Sequence, residues 1–230
     1  MEWPPIQKSP ASWTVPPNLV DYNKACSEFS WDAVRRELEG LPEGRGFNLA
    51  HEAVDRHAHG PLRNRLAIRW LGKDGRVLDF TYGDLQRETN RFANLLLALG
   101  IGKSDRVFAL AGRVPELYIA ALGAFKNGSV FCPLFSAFGP EPVRQRLSRG
   151  DAKVLVTTER LYRKTVEASR PNLPLLQHVV LLDAGEDWGE GTWSLRKVIA
   201  HSESSELQSA FAARKIRFLA QSGPALVCLK

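Results

Sequence analysis

Arg106-Val107-Phe108-Ala109-Leu110-Ala111, Val130-Phe131-Cys132-Pro133-Leu134 and Lys153-Val154-Leu155-Val156-Thr157 are the apolar runs on which the fold turns. Between them lie two segments of helical character, Glu116–Lys126 and Glu141–Arg149, the second opened by Pro140, whose fixed φ suits a first helical turn. Short continuous apolar strands separated by amphipathic helices are the mark of a parallel sheet covered on both faces. The alternation continues: Lys153–Thr157 leads to a helix near Leu161–Ala168, and His178–Leu182 to one over Ser194–His201. The spacing predicts an α/β chain whose mostly parallel sheet holds about four βα units.

Working outward, Leu66–Leu71 and Val77–Phe80 flank Gly72-Lys73-Asp74-Gly75 and read as an antiparallel hairpin ahead of the sheet. Thr81 then caps a helix, with Asp84 at the reciprocal position of a capping box. Leu85, Thr89, Phe92, Leu96 and Leu99 share one helical face, and Gly100 stops the run. Further upstream, Ser30 caps a helix over Trp31–Leu38, and a second helix begins at Asn48 and covers Leu49–His57. Five of the 14 prolines fall in the first seventeen residues, so that segment is expected to be extended, with Trp3, Trp13 and Trp31 as anchors. Three regions result: a lead-in over 1–65, a sheet region over 66–205 and a tail over 206–230 that differs in character. No acidic residue follows Glu206, while Arg214, Lys215, Arg217 and Lys230 do.

The 230 residues carry a net charge of +6, spread along the chain and too dilute to point to nucleic acid. Cys26, Cys132 and Cys228 form no CxxC pair, which argues against a zinc cluster or disulfide framework and for a reducing, cytoplasmic compartment. No signal-peptide pattern opens the chain, and apolar runs such as Asn94–Leu99 are far short of a membrane span, so no membrane association is expected. P-loop, dinucleotide, GxSxG, HExxH and EF-hand patterns do not occur. His51, His57 and His59 cluster, with His51 and His59 roughly aligned on a helix; a solvated helix edge accounts for them more simply than a metal.

Three strand-to-helix crossings could hold a ligand. Phe135-Ser136-Ala137-Phe138-Gly139-Pro140 lies at the carboxyl end of a parallel strand, where ligands of open α/β sheets sit. Thr157-Thr158-Glu159-Arg160 stands at the same edge one unit later, with Arg163 and Lys164 a turn beyond, a pair suited to a phosphate. In Gly112-Arg113-Val114-Pro115-Glu116 the carboxylate complements the helix dipole. Each also has a plain structural reading, as packed turn or solvated helix face. Cys132, inside an apolar strand, reads as an inert thiol.

Several strings are similar to AMP-forming acetyl-CoA synthetases, of the adenylate-forming (acyl-CoA synthetase/luciferase-type) superfamily. They are Pro17–Tyr22, Phe29-Ser30-Trp31, Asn48–His57, Phe80-Thr81-Tyr82, Asn90–Asn94, Arg113–Leu117 and the long run from Lys126 to Glu141. The likeness covers residues 17–205 and not 207–230. It implies acetate–CoA ligation in two steps, an acetyl-adenylate formed from acetate and Mg-ATP and then captured by the thiol of coenzyme A. It also implies that the loop Phe135, Ser136, Ala137 and Phe138 lies against the adenine side of CoA. Arg163, with Lys164 beside it, would approach the 3′-phosphate. The sequence departs from the commoner Phe-Gly-Gly-Phe loop at Ser136 and Ala137. The family's Thr-Ser-Gly-Thr-Thr-Gly loop is not in the sequence, Ser222-Gly223-Pro224 being the nearest string. The chain therefore reads as the amino-terminal part of a longer ligase, without the groups that grip ATP and Mg. A missing carboxy-terminal half, or another chain at the exposed sheet edge, is the expected partner. A CoA- or nucleotide-binding or interaction module without catalysis is the rival reading.

Overall fold

The computed structural model describes residues 14–15, 17–41, 44, 46–186, 189 and 191–197. Most of the proline-rich start, the second half of the helix expected over Ser194–His201, and the tail lie outside them. The chain divides into two compact units, Met1–Glu39 and Gly40–Lys230. In the first, α1 (Tyr22–Glu28) is capped by Asp21 and α2 (Trp31–Glu37) by Ser30. Neither helix buries a residue, and Phe29 meets Trp31 edge-on at 5.1 Å.

The second unit begins with a π-helical turn, His51–Asp55, continued by α3 (Arg56–Ala58). The expected regular helix over Leu49–His57 is therefore widened. A wider turn moves successive side chains to new angles, and the histidines part company: His51 is buried, His57 packs against Tyr82 at 5.0 Å, and exposed His59 bonds Gln86. The solvated edge expected for them fits His59 alone. The same segment carries a buried tertiary tie: Asp55 reaches Lys126 at 2.6 Å, both side chains at least nine-tenths buried, and Asn90 Oδ1 accepts from the same ammonium at 2.6 Å.

β1 (Leu66–Leu71) and β2 (Val77–Thr81) pair antiparallel, as the hairpin pattern predicts. Thr81 and Asp84 close the capping box of α4 (Tyr82–Ala98), whose Leu85, Thr89, Phe92 and Leu96 are buried. The five-stranded parallel sheet then follows in the order β4-β3-β5-β6-β7, with β3 Arg106–Leu110, β4 Val130–Pro133, β5 Val154–Thr157, β6 His178–Leu181 and β7 Thr192–Ser194. Helices α5 (Pro115–Lys126), α6 (Pro140–Arg149) and α7 (Glu159–Thr165) connect β3 to β6. α4 and α5 pack on one face with Val107, Ala109, Val154 and Val156. α6 and α7 cover the other with Phe108, Leu110, Leu155 and Val179.

Three helices end alike. Beyond α4, Ile101 N–H donates to Leu96 O and Gly100 N–H to Leu97 O, with Gly100 at φ 75°. Beyond α5, Ser129 and Gly128 repeat the pattern with Gly128 at φ 73°; beyond α6, Ala152 and Asp151 do so with Asp151 at φ 44°. These are Schellman stops, which use up orphan carbonyls and need a left-handed residue after the cap.

Two elements differ from the sequence reading. The helix expected near Leu161–Ala168 ends at Thr165 and is succeeded by a 3-10 segment, Glu167–Asn172, containing Pro171, which supplies no amide donor. Thr192–Ser194 forms a fifth, buried strand, too short to show a period, and Ser194 then opens the expected helix: residues 195–197 are helical, and the Ser194 hydroxyl accepts from Lys197 N–H at 3.3 Å.

Candidate functional site

The site edge follows from strand order. α5 leaves β3 for one face of the sheet, while α7 leaves the neighbouring strand β5 for the other. A crevice opens outside the carboxyl ends of strands at such a switch point. Both flanks are pinned. Trp70 Nε1–H donates to Arg113 O at 2.8 Å, and the Thr157 hydroxyl donates across to Leu110 O at 2.7 Å. On the β5 side, Thr158 caps α7, and the Asp183 carboxylate accepts from Glu159 N–H at 2.7 Å.

The Phe135–Phe138 loop leaves the carboxyl end of edge strand β4. Leu134 N–H donates to Ala109 O at 2.7 Å, and Phe138 N–H to Phe135 O at 3.0 Å, closing the turn. Ser136 and Ala137 occupy its centre without positive φ, so this backbone needs no glycine there. Phe135 is 65% exposed, and its ring meets Phe138 edge-on at 5.6 Å and 84°. Phe138 is half-buried against the α6–α7 core, and the Arg146 guanidinium lies 4.2 Å from its ring centroid. The sequence reading missed Arg146. A signal was available: Phe138 just before the Gly139 cap and Val143 at the fourth helical position form a hydrophobic staple pattern, which seats Phe138 on α6. Glu141, in the first turn of α6, is held down at about 2 by hydrogen bonds from Arg144 and Gln145.

Arg163 and Lys164 sit on the exposed side of α7, which follows β5, two strands along from β4, so about 10 Å along the sheet separates the strand ends from which the two groups spring. Arg163 is bound to Glu159 (3.1 Å), whereas exposed Lys164 makes no side-chain contact. The structure thus brings the two phenylalanines together and puts both cations in the last turn of α7, on the face of the sheet that Phe138 packs against. Cys132 is half-buried beside the second core, and burial pushes its thiol up. Among the described residues no cluster of His, Cys, Asp or Glu could hold a metal ion. None of their helices is long and apolar enough to cross a membrane.

Residues 54–213 match the AMP-binding enzyme family. The acetyl-coenzyme A synthetase of Bacillus subtilis is 36% identical over 205 residues, covering 88% of this chain and 34% of that protein. The 3-hydroxypropionyl-coenzyme A synthetase of Metallosphaera sedula is 35% identical over 132 residues, 56% of this chain and 20% of its own length. Among solved structures, an acyl-CoA synthetase of Brucella canis superposes with a TM-score of 0.67 at 32% identity, over 78% of this chain and 32% of that one. The chain thus spans about a third of the length of the first of these relatives. A five-stranded parallel sheet preceded by an antiparallel hairpin is the adenylate-forming fold. By sequence and by fold, the chain belongs to the AMP-binding enzyme family.

Proposed function

We propose that the chain is the CoA-facing amino-terminal part of an acetate–CoA ligase, which joins acetate, ATP and CoA into acetyl-CoA, AMP and pyrophosphate through acetyl-adenylate. The observation that carries this reading is the 36% identity to an acetyl-coenzyme A synthetase over 88% of the chain. The site residues fit a CoA nucleotide chemically. Phe135 offers an exposed ring to a purine, and Arg163 and Lys164 offer charge-assisted hydrogen bonds to a phosphate. Glu159 holds the Arg163 guanidinium in place until a phosphate competes for it.

Adenylation asks for more: donors along a triphosphate and Mg to balance its charge. No glycine-rich phosphate loop occurs in the 230 residues. On this reading the chain binds CoA but does not make acetyl-adenylate, and the adenylating groups come from sequence outside it. The test is ATP–pyrophosphate exchange with acetate on the purified chain, expected at background; exchange above background refutes the division of labour. Calorimetry should show heat with CoA, weakened at least about tenfold by Arg163→Ala, since a hydrogen bond to a charged group contributes about 1.5–3 kcal/mol. Absence of heat at millimolar CoA refutes the binding role.

A further inference from the structure

We infer that Arg146 is a positioning residue for the purine of the bound nucleotide, acting through Phe138 on Phe135; this rests on the CoA reading above. Loop phenylalanines fold back onto the nearest apolar surface, and the α6–α7 core lies beside this loop. Phe138 takes that place instead, while Phe135, three residues earlier, remains 65% exposed. The backbone on both sides of it is fixed. The turn is closed by Phe138 N–H on Phe135 O, and the strand end by Leu134 N–H on Ala109 O. The Phe138 ring is held between the core and the Arg146 guanidinium at 4.2 Å. Arg146 is fixed in turn by a hydrogen bond from its guanidinium to Pro142 O at 3.0 Å.

Phe138 then presents a fixed partner to Phe135, edge-to-face at 5.6 Å and 84°. The result is a chain of three planar groups, guanidinium, ring and ring, of which the last turns an open surface outward at the carboxyl edge of the sheet. A flat aromatic ligand suits such a surface, because it stacks without needing a hydrogen-bond partner. Arg146 itself need not touch the ligand. Its charge over Phe138 fixes that ring's plane, and the ring fixes the angle at which Phe135 is offered. The stacking surface is therefore built before the ligand arrives, which lowers the ordering cost of binding.

The experiment titrates the full 230-residue chain with CoA and, separately, with AMP. It compares the wild type, Arg146→Met, which keeps the aliphatic stem, and Arg146→Lys, which restores a cation. Affinity is read by calorimetry and purine contact by the ring-current shift of the Phe135 ring protons in NMR spectra. The expected result is a Phe135 shift on adding CoA, a loss of about two- to fivefold in CoA affinity with a reduced shift in R146M, and partial recovery of both in R146K. Wild-type affinity and shift in R146M overturn the positioning role while leaving CoA binding intact. Equal losses in R146M and R146K, with the Phe135 shift unchanged, overturn it in favour of a general structural effect. An equal or stronger shift with AMP overturns the assignment to CoA. No binding of CoA by the wild type overturns the functional reading and this inference with it.

Discussion

Removing Asp55 tests the centre of the second unit. Its carboxylate meets the Lys126 ammonium at 2.6 Å with side chains 8% and 5% exposed, and Asn90 Oδ1 takes a second hydrogen of that ammonium. Burial pulls the Lys126 pKa down against the opposing pull of Asp55. In Asp55→Ala the ammonium keeps one neutral acceptor in a site closed to water, and in Lys126→Met the carboxylate is left uncompensated. Each single change should cost about 3–5 kcal/mol, the range for breaking a buried pair from one side. At about 2–4 °C per kcal/mol, the melting temperature should drop by roughly 6–20 °C. Replacing both partners removes both buried charges, so D55A/K126M should lie well above the sum of its parents, with a coupling of roughly 3 kcal/mol. The pH dependence has a definite sign. Without Asp55, Lys126 gives up its proton more readily in the folded chain than in the unfolded one, so D55A should gain stability as the pH is raised toward the ordinary lysine range. Urea unfolding of the four proteins measures the cycle. Single variants within about 1 kcal/mol of wild type, or a double variant at the plain sum, would refute the account of Asp55 and Lys126 as a coupled buried pair.

Gly123→Ala should cost about 1–3 kcal/mol in the same assay, because its Cβ would fall 2.8 Å from Phe92 Cδ1 and 3.0 Å from Thr89 O where α5 crosses α4; a neutral result would show that the two helices can separate freely. His178 should make the chain acid-sensitive. Its Nδ1 accepts from Trp193 Nε1–H at 3.3 Å, and burial, aided by the charge of Arg170, holds its imidazole below the usual range. Below about pH 6.5 the unfolded chain then takes up a proton that the folded chain resists, so stability falls as pH falls. His178→Gln should flatten that slope, and a variant as acid-sensitive as the wild type would remove His178 as the cause.

What the sequence revealed, and what it did not, divides by the range of the forces involved. α4 was readable because its cap, its apolar stripe and its stop are all local: Thr81 with Asp84, the buried leucines, and Gly100 in the left-handed region. The βα alternation was readable because strands buried on both faces are apolar throughout, as Val154–Thr157 is. The π-helical turn was not: the spacing of Leu49–His57 reads as an ordinary helix, and the buried partner of its Asp55, Lys126, lies 71 residues away. Nor was β7: Thr192 and Trp193 have strand character, but three residues hold no period, and their burial depends on β6 and on Arg170 reaching Thr192. At the site, the carboxyl-edge rule located the loop from the strand alone. The Arg146–Phe138 contact was legible only in part: the staple pattern of Phe138 and Val143 seats the ring on α6, while the choice of Arg146 as its cover rests on a side-chain rotamer that the sequence leaves open.

The repeated helix stop has an implication for how the fold tolerates change. α4, α5 and α6 hand the chain to β3, β4 and β5 through one geometry, so those strands start flush at the amino end of the sheet. An inserted residue in any of these hand-overs would slide a whole strand past its partners. The opposite rim carries no such shared constraint, and its loops can lengthen or change composition one at a time. The constraint on chain length thus gathers at one end of the sheet, and the other end is where a change of loop disturbs the strands least.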